Sequence, residues 1–455
     1  MDHDRPVTTS AGIRRVCFLF PANTYRATAY LRAAAALGVE PVVATDEPQA
    51  LAGVAGERVL EMNFDEPENA AAVIVAHAAK VPFDALVATD DATVLPGALA
   101  ASALGLPQHP VDAVLATRSK SLLRSRLAAA GLPQPQWVTL GEHEDPDLAA
   151  GSLPYPLVVK PIHLAGSRGV IRVNEPGHLS RAMARVGSIL GAAQPGPSDA
   201  ILRLSRMQAA GNQVSGPRYL ASMQHGLGAP RQGEGRPILV EVYVPGQEVA
   251  VEGICMGGRP QVLAIFDKPD PLDGPFFEET IYVTPSRLPV ARQEELRSAF
   301  ADVVAAVGFR DGPVHAEFRL PPDGQPVCID VAARTIGGRC GQVLSFSNGR
   351  SLEELVISVL LGRHPLRSFR LEGGRGVLML PIPRSGTLAA VHHGDEALRI
   401  PGITGIEITV PISRQVTALP EGDRYLGFVF AQAPSAQEAE AALRACAATL
   451  EVEIS

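Results

Sequence analysis

The sequence predicts an α/β protein that passes into an α+β region, and three observations predict it. Residues 14 to about 110 alternate short apolar runs with helical stretches. Two strand pairs with turn residues between them follow, around Pro245-Gly246 and Asp323-Gly324. From about residue 366, isolated strands lead into one amphipathic helix.

In the first region "VCFLF" (16 to 20) reads as a strand, "YRATAYLRAAAALG" (25 to 38) as a helix ended by glycine, and "PVVAT" (41 to 45) as the next strand. "FDALVAT" (83 to 89) followed by "DDATVLPGALAASALG" repeats the scheme, which implies parallel strands with helical crossovers. PANTY stands after the first strand where a dinucleotide fold needs G-x-G-x-x-G, so no dinucleotide site is expected. "VDAVLATRSKSLLRSRLAAAGLPQPQW" (111 to 137) reads as one helical stretch stopped by Gly131 and Pro133. Residues 191 to 237 are rich in Gly, Pro, Ser and Gln and read as a mobile insertion without assigned secondary structure. "ILVEVYVPGQEVAVEGIC" (238 to 255) gives two strands, "GPVHAEFRLPPDGQPVCIDVAAR" (312 to 334) a hairpin, and Ser435-x-x-Glu438 opens the last helix as a capping box.

With 455 residues the chain suits two or three domains. Hydrophobic residues make up 46% and no apolar run reaches membrane-spanning length, so a globular protein without membrane contact is expected. MDHDRPVTTSAGIRR lacks the features of a secretion signal, and a cytoplasmic protein is expected. A net charge of -8 without a basic block offers nucleic acid no electrostatic footprint, which leaves small molecules as partners. Five cysteines without a C-x-x-C pair read as buried reduced thiols.

Of 40 basic residues only Lys80, Lys120, Lys160 and Lys268 are lysine. Where arginine is the default cation, a retained lysine marks a position that needs a compact ammonium on a flexible stem. Lys160 ends the apolar strand of "YPLVVKPIHLAGSRGV", ahead of Ala165-Gly166-Ser167-Arg168-Gly169, whose backbone N–H groups can form an anion nest. No G-x-x-x-x-G-K exists, so this is not a P-loop.

In the 312 to 334 hairpin a four-residue turn between Pro321 and Pro326 sets Arg319 opposite Cys328 and Glu317 opposite Asp330. His315, Glu317 and Arg319 then share a face. Opposed carboxylates repel unless a cation lies between them, and few hard oxygen ligands suit Mg²⁺ completed by substrate phosphates. Solvated edge charges are the other reading of this pair. His315 reads as structural or as a hydrogen bonder to substrate. Arg334, four residues beyond Asp330, is placed to clamp an anion. Glu241 next to "VYV" could meet a nucleotide base or ribose, with backbone groups of Val242 and Val244 reading the base edge.

Taken together, "TRSKSLLRSRLAAAGLPQP", "YPLVVKPIHLAGSRGV", "ILVEVYVPGQEVAVEG", "FDKPDPLDGPFFEE", "GPVHAEFRL" and "CIDVAARTIGG" resemble the ATP-grasp superfamily, and within it carboxylate-amine ligases of the L-amino acid ligase type. The resemblance covers essentially the whole chain through its order and spacing. It implies an ATP-grasp fold: an N-terminal α/β domain (1 to 110), an ATP-grasp domain (111 to 365, with a lid at about 150 to 240 and a core at about 241 to 365) and a C-terminal α+β domain (366 to 455).

It also implies ATP and two Mg²⁺ ions as cofactors. Lys120 and Lys160 would hold phosphates, Ala165 to Gly169 would form the lid loop, Glu241, Val242 and Val244 would line the adenine pocket, and Glu248 would lie near the ribose. Glu317 and Asp330 would bind the metals, Arg334 would grip the transferred phosphoryl group, and Lys268 would line the acceptor pocket. Asp330 stands where the family usually has glutamate, and Ala332 where many members have a metal-ligating asparagine.

The chemistry implied is activation of a carboxylate as an acyl phosphate and its capture by an amine, on small amino or carboxylic acids. A carboxylase or other ATP-grasp ligase, and a nucleotide-binding regulatory protein, are the alternatives. A homodimer stays open as the assembly.

Overall fold

The structure is a computed structural model that describes residues 13–22, 24–47, 58–141, 144–146, 150–192, 197–209, 214–216, 237–346, 349–363 and 371–455. Strands β1 (Arg15–Phe20), β2 (Glu40–Thr45), β3 (Val59–Glu61) and β4 (Ala85–Ala88) form a parallel sheet in the order β3-β2-β1-β4. Apolar β1 is buried along almost its whole length because helices cover the sheet. The helices Ala27–Leu37 and Val94–Leu104 are where the sequence puts them, each closed by a left-handed glycine, Gly38 and Gly105.

The expected single helix over 111 to 129 is instead two, Val111–Arg118 and Lys120–Ala129, parted by extended Ser119. Lys120 therefore begins a helix, and its N–H donates to the Ile162 carbonyl (3.2 Å). The break brings it beside the turn that follows Lys160.

A second sheet holds β5 (Trp137–Leu140), β6 (Leu157–Pro161), β7 (Ile171–Val173) and β8 (Ile238–Val242), in the order β5-β8-β6-β7. β6 is buried throughout, as its composition requires. Of the stretch expected to be a mobile insertion, residues 193–196, 210–213 and 217–236 lie outside the described residues, while Pro197–Ala209 is helical.

A third, eight-stranded sheet contains β9 (Gln247–Met256), β10 (Arg259–Asp267), β11 (Ile281–Thr284), β12 (Gly312–Leu320), β13 (Val327–Ala332), β14 (Gly374–Leu380), β16 (Ile403–Ile408) and β18 (Gly427–Ala433). A small sheet pairs β15 (Gly386–His392) with β17 (Gln415–Val416) and β19 (Glu451–Ile454). The two strands about Pro245-Gly246 thus enter different sheets, so that turn joins two layers. Because β11 pairs with β14, the eight-stranded sheet runs on from the core into the C-terminal region.

One apolar cluster includes Leu19, Leu86 and Leu99 of the first region together with Leu127, Phe300 and Phe318 of the core. All five cysteines are free and buried. Among the described residues no helix is long and apolar enough to cross a membrane.

Gly246 shows what the junction between layers demands. Its φ is +106°, and an added Cβ would lie 2.0 Å from the Leu320 carbonyl oxygen. Gly246→Ala is expected to lower stability by more than about 3 kcal/mol, since left-handed strain and a backbone clash act together. Urea unfolding of the variant checks it.

Candidate active site

The hairpin β12–β13 has Glu317 opposite Asp330, as the turn predicts. A bulge between Glu317 and Phe318 then shifts the register, so Arg319 faces Val327 and not Cys328. His315, Glu317, Arg319, Asp330 and Arg334 nevertheless line one cleft of about 250 Å³. Lys120, Lys160, Ala165, Gly166, Ser167, Glu241, Val242, Val244 and Glu248 line the same cleft. Residues more than two hundred positions apart, such as Lys120 and Arg334, therefore converge.

Lys160 is 7% exposed and its Nζ lies 2.5 Å from Glu241. Arg124, fully buried, holds the other oxygen of Glu241 (2.6 Å) and donates to the carbonyls of Cys328 (3.0 Å) and Ile329 (2.7 Å). Burial raises the Glu241 carboxyl, but Arg124 and Lys160 outweigh it and hold the pKa at about 2. Burial likewise lowers the Lys160 ammonium, which Glu241 partly offsets.

Glu241 lines the cleft as expected of a pocket residue, with its carboxylate already paired. Its carboxylate is engaged by two cations, which suits a residue that holds Lys160 better than one that reads a nucleoside. The Val242 N–H donates to the Gln136 carbonyl (2.9 Å), which removes that donor from a base edge. The Val242 carbonyl and Val244 carry what is left of that reading.

The loop after β6 is left-handed at Gly166, Ser167 and Gly169. Ala165 to Ser167 face the cleft, whereas Gly169 does not. The Gly169 N–H donates to the Pro420 carbonyl (2.8 Å), and a Cβ there would meet the Pro161 ring at 2.8 Å, so close packing and not anion binding calls for this glycine. Lys120 Nζ donates to the Leu164 carbonyl (2.9 Å) and sits 3.7 Å from Asp330. One ammonium thus stands between the loop after β6 and the hairpin.

Lys268 departs from its expected place on an acceptor wall. It is 3% exposed, does not line the cleft, and its Nζ lies 2.6 Å from Glu248, 2.8 Å from Glu279 and 2.7 Å from Glu317. The spacing of those three carboxylates would suit a metal ion, but the lysine ammonium fills their centre. Burial disfavours the ammonium, yet the three glutamates raise its pKa well above the ordinary value. Lys268 is therefore a positioning cation behind the wall.

Glu248 is also held by Arg319 (2.8 Å), so its expected place near a ribose would leave its carboxylate tied to two cations. Burial raises the Glu317 carboxyl, and Lys268 and His315 reverse this and take it well below the usual range. His315 stands 3.5 Å from Glu252 and 3.6 Å from Glu317. Burial lowers its imidazole, but the two carboxylates raise it overall.

Magnesium suits the donor set on the open side. Glu317 Oε2 has no hydrogen-bond partner among the described residues, and the Asp330 side chain is 38% exposed. These are hard oxygens facing the cleft beside two ammonium groups. Arg334 reaches the cleft too, with one nitrogen on Asp91 (2.9 Å) and another on the Thr335 carbonyl (3.0 Å).

Several residues of the site escaped sequence reading. Arg124 lies next to Leu123 and one turn before Leu127 on a buried helix face, a signal that an arginine there needs a partner. Asp91, Arg118 and Glu279 carried no pattern. Met379 and Tyr425 line the cleft from the C-terminal region.

Comparison with known proteins finds three domain matches. Residues 31–108 match the ATP-grasp N-terminal domain, 221–343 the ATP-grasp domain, and 378–455 the L-amino acid ligase C-terminal domain 2. An L-amino acid ligase from Bacillus licheniformis superposes with a TM-score of 0.73 at 23% identity, over 97% of this chain and 99% of that one. A carboxyaminoimidazole ribonucleotide synthase from Aspergillus clavatus, solved with ATP, gives 0.66 at 16% identity over 96% and 98%. Both likenesses show the shared fold.

Among curated proteins, carnosine synthase 1 of Gallus gallus is 28% identical over 254 residues, 55% of this chain and 23% of that protein. The uncharacterized protein y4rH of Sinorhizobium fredii is 25% identical over 218 residues, 48% of this chain and 44% of that protein. The chain thus spans less than half the length of either curated relative. It carries the N-terminal and ATP-grasp domains of the ATP-grasp superfamily. Within that superfamily its C-terminal domain is of the L-amino acid ligase type.

The Glu241 centre predicts an acid response. A carboxyl depressed from 4.5 to about 2 contributes stability above pH 4.5 and loses it as pH falls toward 2. Glu241→Gln is expected to cost about 3–5 kcal/mol at neutral pH, because Lys160 and Arg124 lose their anion. It should also flatten the fall in stability between pH 4.5 and 2, which urea unfolding across that range checks.

Proposed function

We propose that this chain is an ATP-dependent carboxylate-amine ligase acting on small amino or carboxylic acids, with release of ADP and phosphate through an acyl phosphate. The observation that carries the reading is the meeting of Lys120, Lys160 and Arg334 with Glu317 and Asp330 on one cleft, under a loop of small residues.

Lys120 and Lys160 bind the phosphates, and Arg334 takes the transferred phosphoryl group. Glu317 and Asp330 hold magnesium, which when bound offsets charge on the nucleotide phosphates. A substrate carboxylate oxygen attacks the γ-phosphorus, the bond to the ADP oxygen breaks, and an amine then displaces phosphate from the acyl carbon. The chain's part is alignment and charge compensation, which needs no nucleophilic side chain. The buried thiols fit this, since burial pushes Cys328 up to about 12. The loop at 165 to 169 shields the acyl phosphate from water.

An ADP-release assay over the L-amino acids, singly and in pairs, with mass spectrometry of any hit, tests the reading. The expected result is ADP release that needs a carboxylate and an amine, with a product equal to their masses less one water. Release that depends on bicarbonate would transfer the chain to carboxylase chemistry, and no substrate-stimulated release would leave a nucleotide-binding protein.

Asp330→Asn is expected to raise the magnesium concentration needed for half-maximal nucleotide binding several-fold, since one ligand charge is lost. A magnesium titration of nucleotide affinity reads it. The acceptor side carries a further expectation. Nothing lies within 4 Å of a Cβ at Gly337, whereas Gly338 is left-handed and a Cβ there would meet Met379 at 2.5 Å. Gly337→Phe should therefore narrow the range of accepted amines without unfolding the protein.

A further inference from the structure

Asp91 lies between β4 and the helix Val94–Leu104, in the N-terminal region, away from every motif that points to the nucleotide. Its two oxygens face two arginines of the core. Oδ1 is 2.9 Å from Arg118 and Oδ2 is 2.9 Å from Arg334. All three side chains are largely buried, with exposures of 25% for Asp91, 12% for Arg118 and 16% for Arg334.

Without an anion between them, two guanidinium groups here would repel each other and Arg334 would lose the partner that fixes one side of its fork. Arg334 itself lines the cleft. Arg118 precedes Ser119 and Lys120, and its carbonyl meets His163 Nδ1 (2.9 Å), so the same carboxylate also steadies the segment that carries the lid-side lysine. The apolar cluster shared by the first region and the core keeps Asp91 from moving independently of either arginine.

We propose that Asp91 is a positioning residue that fixes the guanidinium of Arg334 for the terminal phosphoryl group of the nucleotide. The N-terminal region then takes part in phosphate recognition without touching the nucleotide. The inference rests on the reading of Arg334 as the phosphoryl grip, and its test separates the two.

Calorimetry compares the affinities of Mg·AMP-PNP and Mg·ADP for the parent, Asp91→Asn, Asp91→Glu, Arg334→Ala and the double variant Asp91→Asn/Arg334→Ala. Asp91→Asn is expected to weaken AMP-PNP binding about five- to tenfold, in line with loss of one charge-assisted contact, with ADP affinity unchanged. Asp91→Glu should restore most of the AMP-PNP affinity, and the double variant should be no weaker than Arg334→Ala. A purely structural role would weaken both nucleotides together, and that outcome overturns the proposal.

Unchanged or tighter AMP-PNP binding by Asp91→Asn, while Arg334→Ala loses affinity, overturns it and leaves the role of Arg334 standing. No AMP-PNP-specific loss in Arg334→Ala overturns both. Should Asp91→Asn not fold, Asp91→Ser decides: affinity for AMP-PNP below that for the parent with ADP unchanged supports positioning, and equal loss for both nucleotides, or no loss for either, overturns it.

Discussion

Arg124, Glu241 and Lys160 form the constraint on which the rest of the cleft depends. Three charges sit in a dry interior, where an unpaired ion is costly and a paired one is held firmly. Each belongs to a different element: Arg124 to the helix Lys120–Ala129, Glu241 to β8 and Lys160 to β6. Arg124 also binds two carbonyls of β13, the strand that carries Asp330. Removing the carboxylate would free the lysine and release the hairpin at once. The triad keeps a net positive charge, which leaves Lys160 suited to an anion while its position is fixed.

The acidic wall follows a complementary rule. Glu248 is shared between Lys268 and Arg319, and Glu317 between Lys268 and His315, so most of its negative charge is balanced inside the protein. Asp330 is the more exposed of the two opposed carboxylates and Lys120 stands 3.7 Å away, beyond hydrogen-bonding distance. Charge that is satisfied internally shapes the wall. Charge left facing the cleft is what a phosphate or a divalent ion can use.

The legibility of this arrangement in the sequence differed by mechanism. Alternation and turn residues were enough to place the hairpin and to oppose Glu317 with Asp330, because register near a short turn is set locally. The bulge at Phe318 was not readable, since it depends on how β13 is held by Arg124 from another element. The rarity of lysine singled out Lys120, Lys160 and Lys268, yet it could not tell an ammonium that faces the cleft from one sunk among three glutamates. Ser119 broke a helix that composition made continuous, because the break is stabilised by the Ile162 carbonyl of a distant turn. Asp91 is invisible for the same reason: its partners are 27 and 243 residues away.

The C-terminal region shows why such distant contributions accumulate. It supplies few charged groups to the cleft, but Met379 and Tyr425 close one wall and Pro420 receives the Gly169 N–H. Arg185, on the helix Leu179–Ala192 that packs on β6, forms a two-point ion pair with Glu421 at 2.7 and 3.0 Å. Exposed pairs of this kind contribute little stability individually. Their value lies in where they act, since they dock the region of the left-handed loop near Lys120 and Lys160 without using any group that faces the cleft. On the proposed reading the site excludes water from a reactive carbonyl, and a cover for it is held best when tied down from outside. The eight-stranded sheet that continues from β13 to β18 provides the rigid frame for that tie.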